Sequence, residues 1–105
     1  MWPDLDETLQ ERGKLYGDFG GHAEISQALK ARMRACQGWH SLRPVEKEAL
    51  EMIAHKIGRI LNGDPSYADS WHDIAGYAKL IEDRIRDPKA GNCLSAPGGN
   101  KAVSE

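Results

Sequence analysis

The 105-residue chain has two cysteines, one phenylalanine and no marked excess of either charge, with 14 Lys+Arg against 16 Asp+Glu. Cys36 falls inside a helical pattern and Cys93 in a polar segment, which excludes a disulfide framework and a cysteine-based zinc site. No apolar run approaches the roughly 20 residues that a membrane helix needs. The start, Met1-Trp2-Pro3-Asp4-Leu5-Asp6, lacks the basic and apolar stretches of a signal peptide. The expected location is the cytoplasm, with no membrane partner. A formal net charge of -2 offers no general grip on nucleic acid, so no specific nucleic-acid partner is indicated. Gly-x-Ser-x-Gly, P-loop and dinucleotide fingerprints are missing. His22, His40, His55 and His72 form no His-x-x-x-His pair and read as surface or loop residues. Strand-like alternation is missing too, which leaves helices.

What is there reads as one small helical domain. Residues 88–105 hold Leu94 and Val103 as their sizeable apolar side chains and read as a flexible tail, leaving 1–87 as the domain. A domain of this size buries roughly two-thirds of the surface its unfolded chain exposes, so its core is thin and a sizeable pocket calls for a second subunit. A homo-oligomer is therefore expected. The first helix is expected over about Asp6 to Tyr16, with Leu5, Leu9 and Leu15 inward, followed by a break at Gly17-Asp18-Phe19-Gly20-Gly21. The second runs from about His22 to Cys36, with Ile25, Ala28, Leu29, Met33 and Cys36 on one stripe. The third starts at Pro44 and carries Ala49, Leu50, Ile53, Ile57, Ile60 and Leu61 to a stop at Asn62-Gly63-Asp64-Pro65. So short a stop predicts an antiparallel fourth helix, about Ser66 to Arg86, with Trp71, Ile74, Ala78, Ile81 and Ile85 facing its partner. The fold expected is a compact all-α bundle of about four helices.

The faces opposite these stripes hold the candidate chemistry. Glu48, Glu51, His55 and Arg59 share one side of the third helix, with Lys56 at its boundary. Pairing at i,i+4 on a solvated face produces the same pattern. Asp69, Asp73, Gly76 and Leu80 share a side of the fourth helix, with Tyr77 beside them; a mid-helix Gly costs up to ~1 kcal/mol against Ala and suggests a close approach. On antiparallel neighbours, Glu48, Glu51, Asp69 and Asp73 can converge on a hard cation such as Mg²⁺ or Mn²⁺ that carries a nucleotide's phosphates. Lys56 and Arg59 would supply counter-charge. Tyr16-Gly17-Asp18-Phe19-Gly20-Gly21 has the composition to stack a base beside a helix N-terminus, and equally that of a helix-breaking turn anchored by Phe19.

Glu-Arg-Gly-Lys-Leu-Tyr-Gly-Asp-Phe (11–19), Glu-Ala-Leu-Glu-Met-Ile-Ala-His-Lys-Ile-Gly-Arg-Ile (48–60) and Asp-Ser-Trp-His-Asp-Ile-Ala-Gly-Tyr-Ala-Lys-Leu (69–80) resemble segments of small phage and prophage proteins. These are similar to MazG-like all-α nucleotide pyrophosphohydrolases and to nucleotide-modification-associated domains, and the likeness spans about residues 7–86. It implies a helical dimer or tetramer that binds Mg²⁺ through a Glu-x-x-Glu and a Glu-x-x-Asp pair and cleaves nucleoside triphosphates to monophosphate and pyrophosphate. If phage-encoded, it would work in the host-cell cytoplasm. Glu48 and Glu51 match the first pair and Asp73 the last carboxylate. Ser70 stands three residues before Asp73 where the pattern has Glu, and Asp69 lies one residue further back. The resemblance implies Glu48, Glu51 and Asp73 as catalytic carboxylates, joined by Asp69 as metal ligands, with Tyr16, Lys56, Arg59 and Tyr77 on the nucleotide. On this reading Asp73→Asn abolishes turnover and leaves the melting temperature nearly unchanged. The alternative is a non-catalytic sponge that sequesters a nucleotide-derived immune signal, a cyclic nucleotide or an ADP-ribose derivative; a third is an interaction module that packs its Gly76–Leu80 face on another helix.

Overall fold

The computed structural model describes residues 4–87. Four α-helices follow in chain order: α1 (Leu5–Tyr16), α2 (Phe19–Arg34), α3 (Pro44–Asn62) and α4 (Ala68–Arg86). A short 3₁₀ turn, Gln37–Ser41, joins α2 to α3 and buries Trp39. No strand occurs among the described residues, and none of their helices is long and apolar enough to cross a membrane. The tail expected at 88–105 lies outside the described residues.

Local chemistry sets the helix ends. Asp4 caps α1 by accepting from the Asp6 N–H, and Asp18 caps α2 by accepting from the Gly21 N–H at 2.9 Å. That cap starts α2 three residues before the expected His22. At α3, Pro44 takes the first position and Glu46 accepts from the Arg43 N–H at 2.8 Å. Asp64 receives both the Ser66 N–H (2.9 Å) and its hydroxyl (2.7 Å), and the Trp71 indole donates to the Pro65 carbonyl at 2.7 Å, which closes the α3–α4 connection.

α3 is the centre of the bundle, packed against α2 and α4 and touched by α1. α2 and α3 run antiparallel, as shown by Asn62 meeting Asp18, His55 meeting His22 and Glu51 meeting Arg34 along their lengths. α1 buries none of its residues, and Leu5 and Leu9 remain 69% and 58% exposed.

The rotation of α4 departs from the expectation. Its Ser70, Asp73 and Tyr77 are the buried residues, whereas Trp71 and Ile85 are 55% and 64% exposed. The cause is an ion pair: Lys56 Nζ on α3 lies 2.9 Å from Asp73 Oδ2 on α4, with the two residues only 4% and 3% exposed. Lys56 is thus an interior residue rather than one at a surface boundary. Desolvating two charges is tolerable only when they meet, so the pair orients the helices around itself. Of the apolar stripes of α3 and α4, Ala49 and Ile60 are buried, while Leu50, Ile53, Ala78, Ile81 and Ile85 line an open groove with Leu42.

This placement changes what Asp73→Asn should do. Removing one member leaves the other charge buried and unpaired, so Asp73→Asn and Lys56→Met are each expected to cost about 3–5 kcal/mol of stability. The apolar double variant Lys56→Met/Asp73→Leu is expected to recover most of that loss. Urea unfolding of the three variants checks this, and single variants as stable as the parent chain would refute it.

Candidate ligand cleft

Two turns are bound together at one end of the bundle. The Asn62 side-chain amide donates to the carbonyls of Tyr16 (2.9 Å) and Asp18 (2.6 Å), and the Asp64 N–H donates to the Leu15 carbonyl at 2.8 Å. The α1–α2 turn is thereby held against the α3 C-terminus. Such an approach needs glycine. Gly17 has φ 78°, and a Cβ there would collide with the Asn62 carbonyl.

Beside these turns lies a cleft of about 440 Å³, with Leu9, Arg12 and Tyr16 from α1, Phe19 and His22 from α2, and His55 and Arg59 from α3 among its lining residues. The Arg59 guanidinium carbon sits 4.1 Å from the centre of the Tyr16 ring, a cation–π contact. Tyr16 is held edge-on by Tyr67, with centroids 5.9 Å apart. Tyr67 in turn donates its hydroxyl to Asp69 at 3.2 Å, and that acceptor raises the Tyr67 pKa. Neither Arg12 nor Arg59 makes an ion pair among the described residues. Phe19 is 78% exposed at the mouth.

The floor of the cleft corrects the reading of His22 and His55 as surface or loop residues, whereas His40 and His72 are exposed. His22 is buried against Gly58, where an added Cβ would come within 3.0 Å of its Nδ1, and His55 is half-buried. His22 Nε2 and His55 Nδ1 lie 3.3 Å apart, a hydrogen bond that two neutral rings can make and two imidazolium rings cannot. Burial, followed by the Arg59 charge, pushes the His55 pKa down to about 4; burial also lowers that of His22. At pH 7 both rings are neutral and offer hydrogen bonds rather than charge. The pairing was hidden in the sequence because the two residues lie on different helices, and only the antiparallel register of α2 on α3 brings them together.

The residues expected at a site separate into groups. Tyr16 and Arg59 meet at the cleft, and Asp69 reaches them through Tyr67. Lys56, Asp73 and Tyr77 are in the α3–α4 interior. Glu51 is held by Arg34 at 2.7 Å, and Glu48 is exposed further toward the start of α3. Among the described residues no group of three or more His, Cys, Asp and Glu is placed to hold a metal ion. Within one protomer Glu51 and Asp73 are paired with Arg34 and Lys56, Asp69 accepts from Tyr67, and Glu48 is exposed. No protein-family model, curated protein or solved structure matches the chain.

The histidine pair gives the stability a pH dependence of definite sign. A ring with pKa about 4 when folded and the ordinary histidine value of 6.5 when unfolded binds more protons in the unfolded state between those values. Its stabilising contribution is complete above about pH 6.5 and is lost as pH falls toward about 4. Melting temperatures across this window should decline less steeply for His55→Gln than for the parent chain; parallel curves would remove His55 as the cause.

Proposed function

We propose that this chain binds a nucleotide in the cleft between α1, α2 and α3 and retains it without cleaving it. The observation that carries the reading is Arg59: a guanidinium set over Tyr16 with no carboxylate partner among the described residues, in a recess that also presents Arg12 and the exposed ring of Phe19. Unpaired guanidinium groups favour phosphate, and exposed aromatic faces favour a base. The resemblance to MazG-like nucleotide pyrophosphohydrolases supports a nucleotide as the ligand but not its retention, and the cyclic and ADP-ribose-derived signals belong to the ligand class that such a cleft would take.

Metal-dependent pyrophosphohydrolysis is the second reading. It keeps Glu48 and Glu51 one turn apart on α3, with Glu48 exposed, and needs Glu51 to leave Arg34. In that reading Mg²⁺ or Mn²⁺ would supply Lewis-acid chemistry at the phosphates.

One experiment separates them. The purified chain is incubated with Mg²⁺ or Mn²⁺ and a panel of linear and cyclic nucleotides, and both the filtrate and the heat-released material are chromatographed. Intact nucleotide recovered only after heating is the expected result; new monophosphate and pyrophosphate would replace retention by hydrolysis. Arg59→Ala should weaken binding by roughly 10- to 100-fold, the size of a lost charge-assisted contact, with the fold retained by circular dichroism. Unchanged affinity in that variant, or no retained nucleotide at all, would overturn the assignment.

A further inference from the structure

We infer that a recess on the far flank of α1 is a sugar subsite, so that the ligand of the cleft is a nucleoside diphosphate carrying a second sugar beyond its phosphates. This recess, of about 330 Å³, adjoins the cleft and shares Arg12, Tyr16 and Arg59 with it. Its other lining residues are Thr8, Glu11 and Leu15. At about 100° per residue, Leu9 and Gly13 lie on one side of the Arg12–Tyr16 line along α1, and Thr8, Glu11 and Leu15 lie on the other. The two recesses therefore flank one ridge, and the ridge carries the cationic groups.

The chemistry changes across that ridge. Arg12 and Arg59 supply two guanidinium groups without an ion pair among the described residues, a match for the two phosphates of a diphosphate. Beyond them the recess offers acceptors. Glu11 is exposed and makes no ion pair among the described residues, so its carboxylate is open to a donor. The Thr8 hydroxyl commits its hydrogen to the Asp4 carbonyl at 3.1 Å, which leaves it lone pairs to offer. A further phosphate would be repelled by Glu11, whereas a group that brings its own hydrogens is held. A second base is disfavoured too, because Tyr16, the one ring lining this recess, already lies under the Arg59 guanidinium. Sugar hydroxyls supply the donors, and Leu15 supplies an apolar surface for the sugar's carbon face. A carboxylate that accepts from ribose hydroxyls is the device by which dinucleotide sites hold their sugar.

The subsite rests on the nucleotide reading and narrows it: a plain nucleotide with its base among the rings of the cleft ends at the ridge and does not reach Glu11. Thr8 and Glu11 belong to the far recess and do not line the cleft, so altering them separates the second sugar from the rest of the ligand.

Calorimetric titration of the full chain with matched pairs tests it: ADP and ADP-ribose, UDP and UDP-glucose, GDP and GDP-mannose. In at least one pair the sugar-bearing member is expected to bind about 10-fold more tightly than its plain diphosphate. Glu11→Gln should remove most of that advantage while leaving the plain diphosphate bound as tightly as before or more so, because a negative charge beside the phosphates is gone. Thr8→Val should lower the advantage about 3-fold. Both positions lie at the surface of α1, and circular dichroism verifies that the helices persist. Equal affinities within every pair would overturn the sugar subsite and leave nucleotide binding standing, as would a Glu11→Gln chain in which both members of a pair weaken alike. Binding of none of these compounds would overturn it as well, and the wider panel of linear and cyclic nucleotides then decides separately whether the cleft takes a nucleotide at all.

Discussion

The Lys56–Asp73 ion pair governs the arrangement of this bundle. Two opposite charges on neighbouring helices, 2.9 Å apart and almost fully enclosed, cannot be separated without stranding one of them in the interior. A helix pair that met through its leucines and isoleucines would slide or rotate at little cost, because apolar contacts are non-directional. An ion pair has direction, and this one permits a single rotation of α4 about its axis. Ser70 and Tyr77 follow Asp73 inward, and Ile81 and Ile85 are carried outward. Choosing polar groups for the inner face therefore creates the apolar outer one.

A second constraint operates at the other end of α3. Asn62 does the work of several caps, donating to the carbonyls of Tyr16 and Asp18 while its own helix ends at Gly63. It adds a donor to the Asp18 carbonyl, which already accepts from the His22 N–H, and supplies one to the Tyr16 carbonyl at the end of α1. The positive φ of Gly17 and the tight approach at Gly63 are the backbone conditions for that contact. Tyr16 is fixed at the end of α1 in this way, and Arg59, one turn before Gly63, comes to rest over its ring. The cleft is thus built from two turns and the last turns of a helix, elements whose geometry is set by backbone hydrogen bonds rather than by packing alone.

Much of this was legible in the sequence, and the part that was not has a physical cause. Pro44 and Asn62-Gly63 announce α3 to the residue, whereas the caps Asp4 and Asp18, which start α1 and α2 before the expected Asp6 and His22, were not read from the sequence. The all-α class follows from periodicity. What periodicity could not decide was which of two stripes on α4 faced α3, since Ile74, Ala78 and Ile81 and the set Ser70, Asp73 and Tyr77 both recur at helical spacing. Hydrophobicity favours the first set, whereas the buried pair selects the second. The Tyr16–Gly21 segment was legible as a turn rich in aromatics and glycine, but its partner Asn62 lies more than 40 residues away. The His22–His55 contact was equally out of reach.

The same central helix carries both surfaces, and this bears on how a ligand would be held. The cleft offers cations, neutral imidazoles and aromatic rings, while Glu51 and Asp73, the carboxylates a hydrolase would require, are bound to Arg34 and Lys56. Recruiting Asp73 to a metal would strand Lys56 and dissolve the contact that orients α4. Recruiting Glu51 is cheaper, because its pair with Arg34 is partly solvated and worth little. Binding at Arg59 and Tyr16 requires neither change, since both groups are already in place. The proposed retention therefore leaves the ion pair intact, whereas a hydrolysis routed through Asp73 would have to work against it.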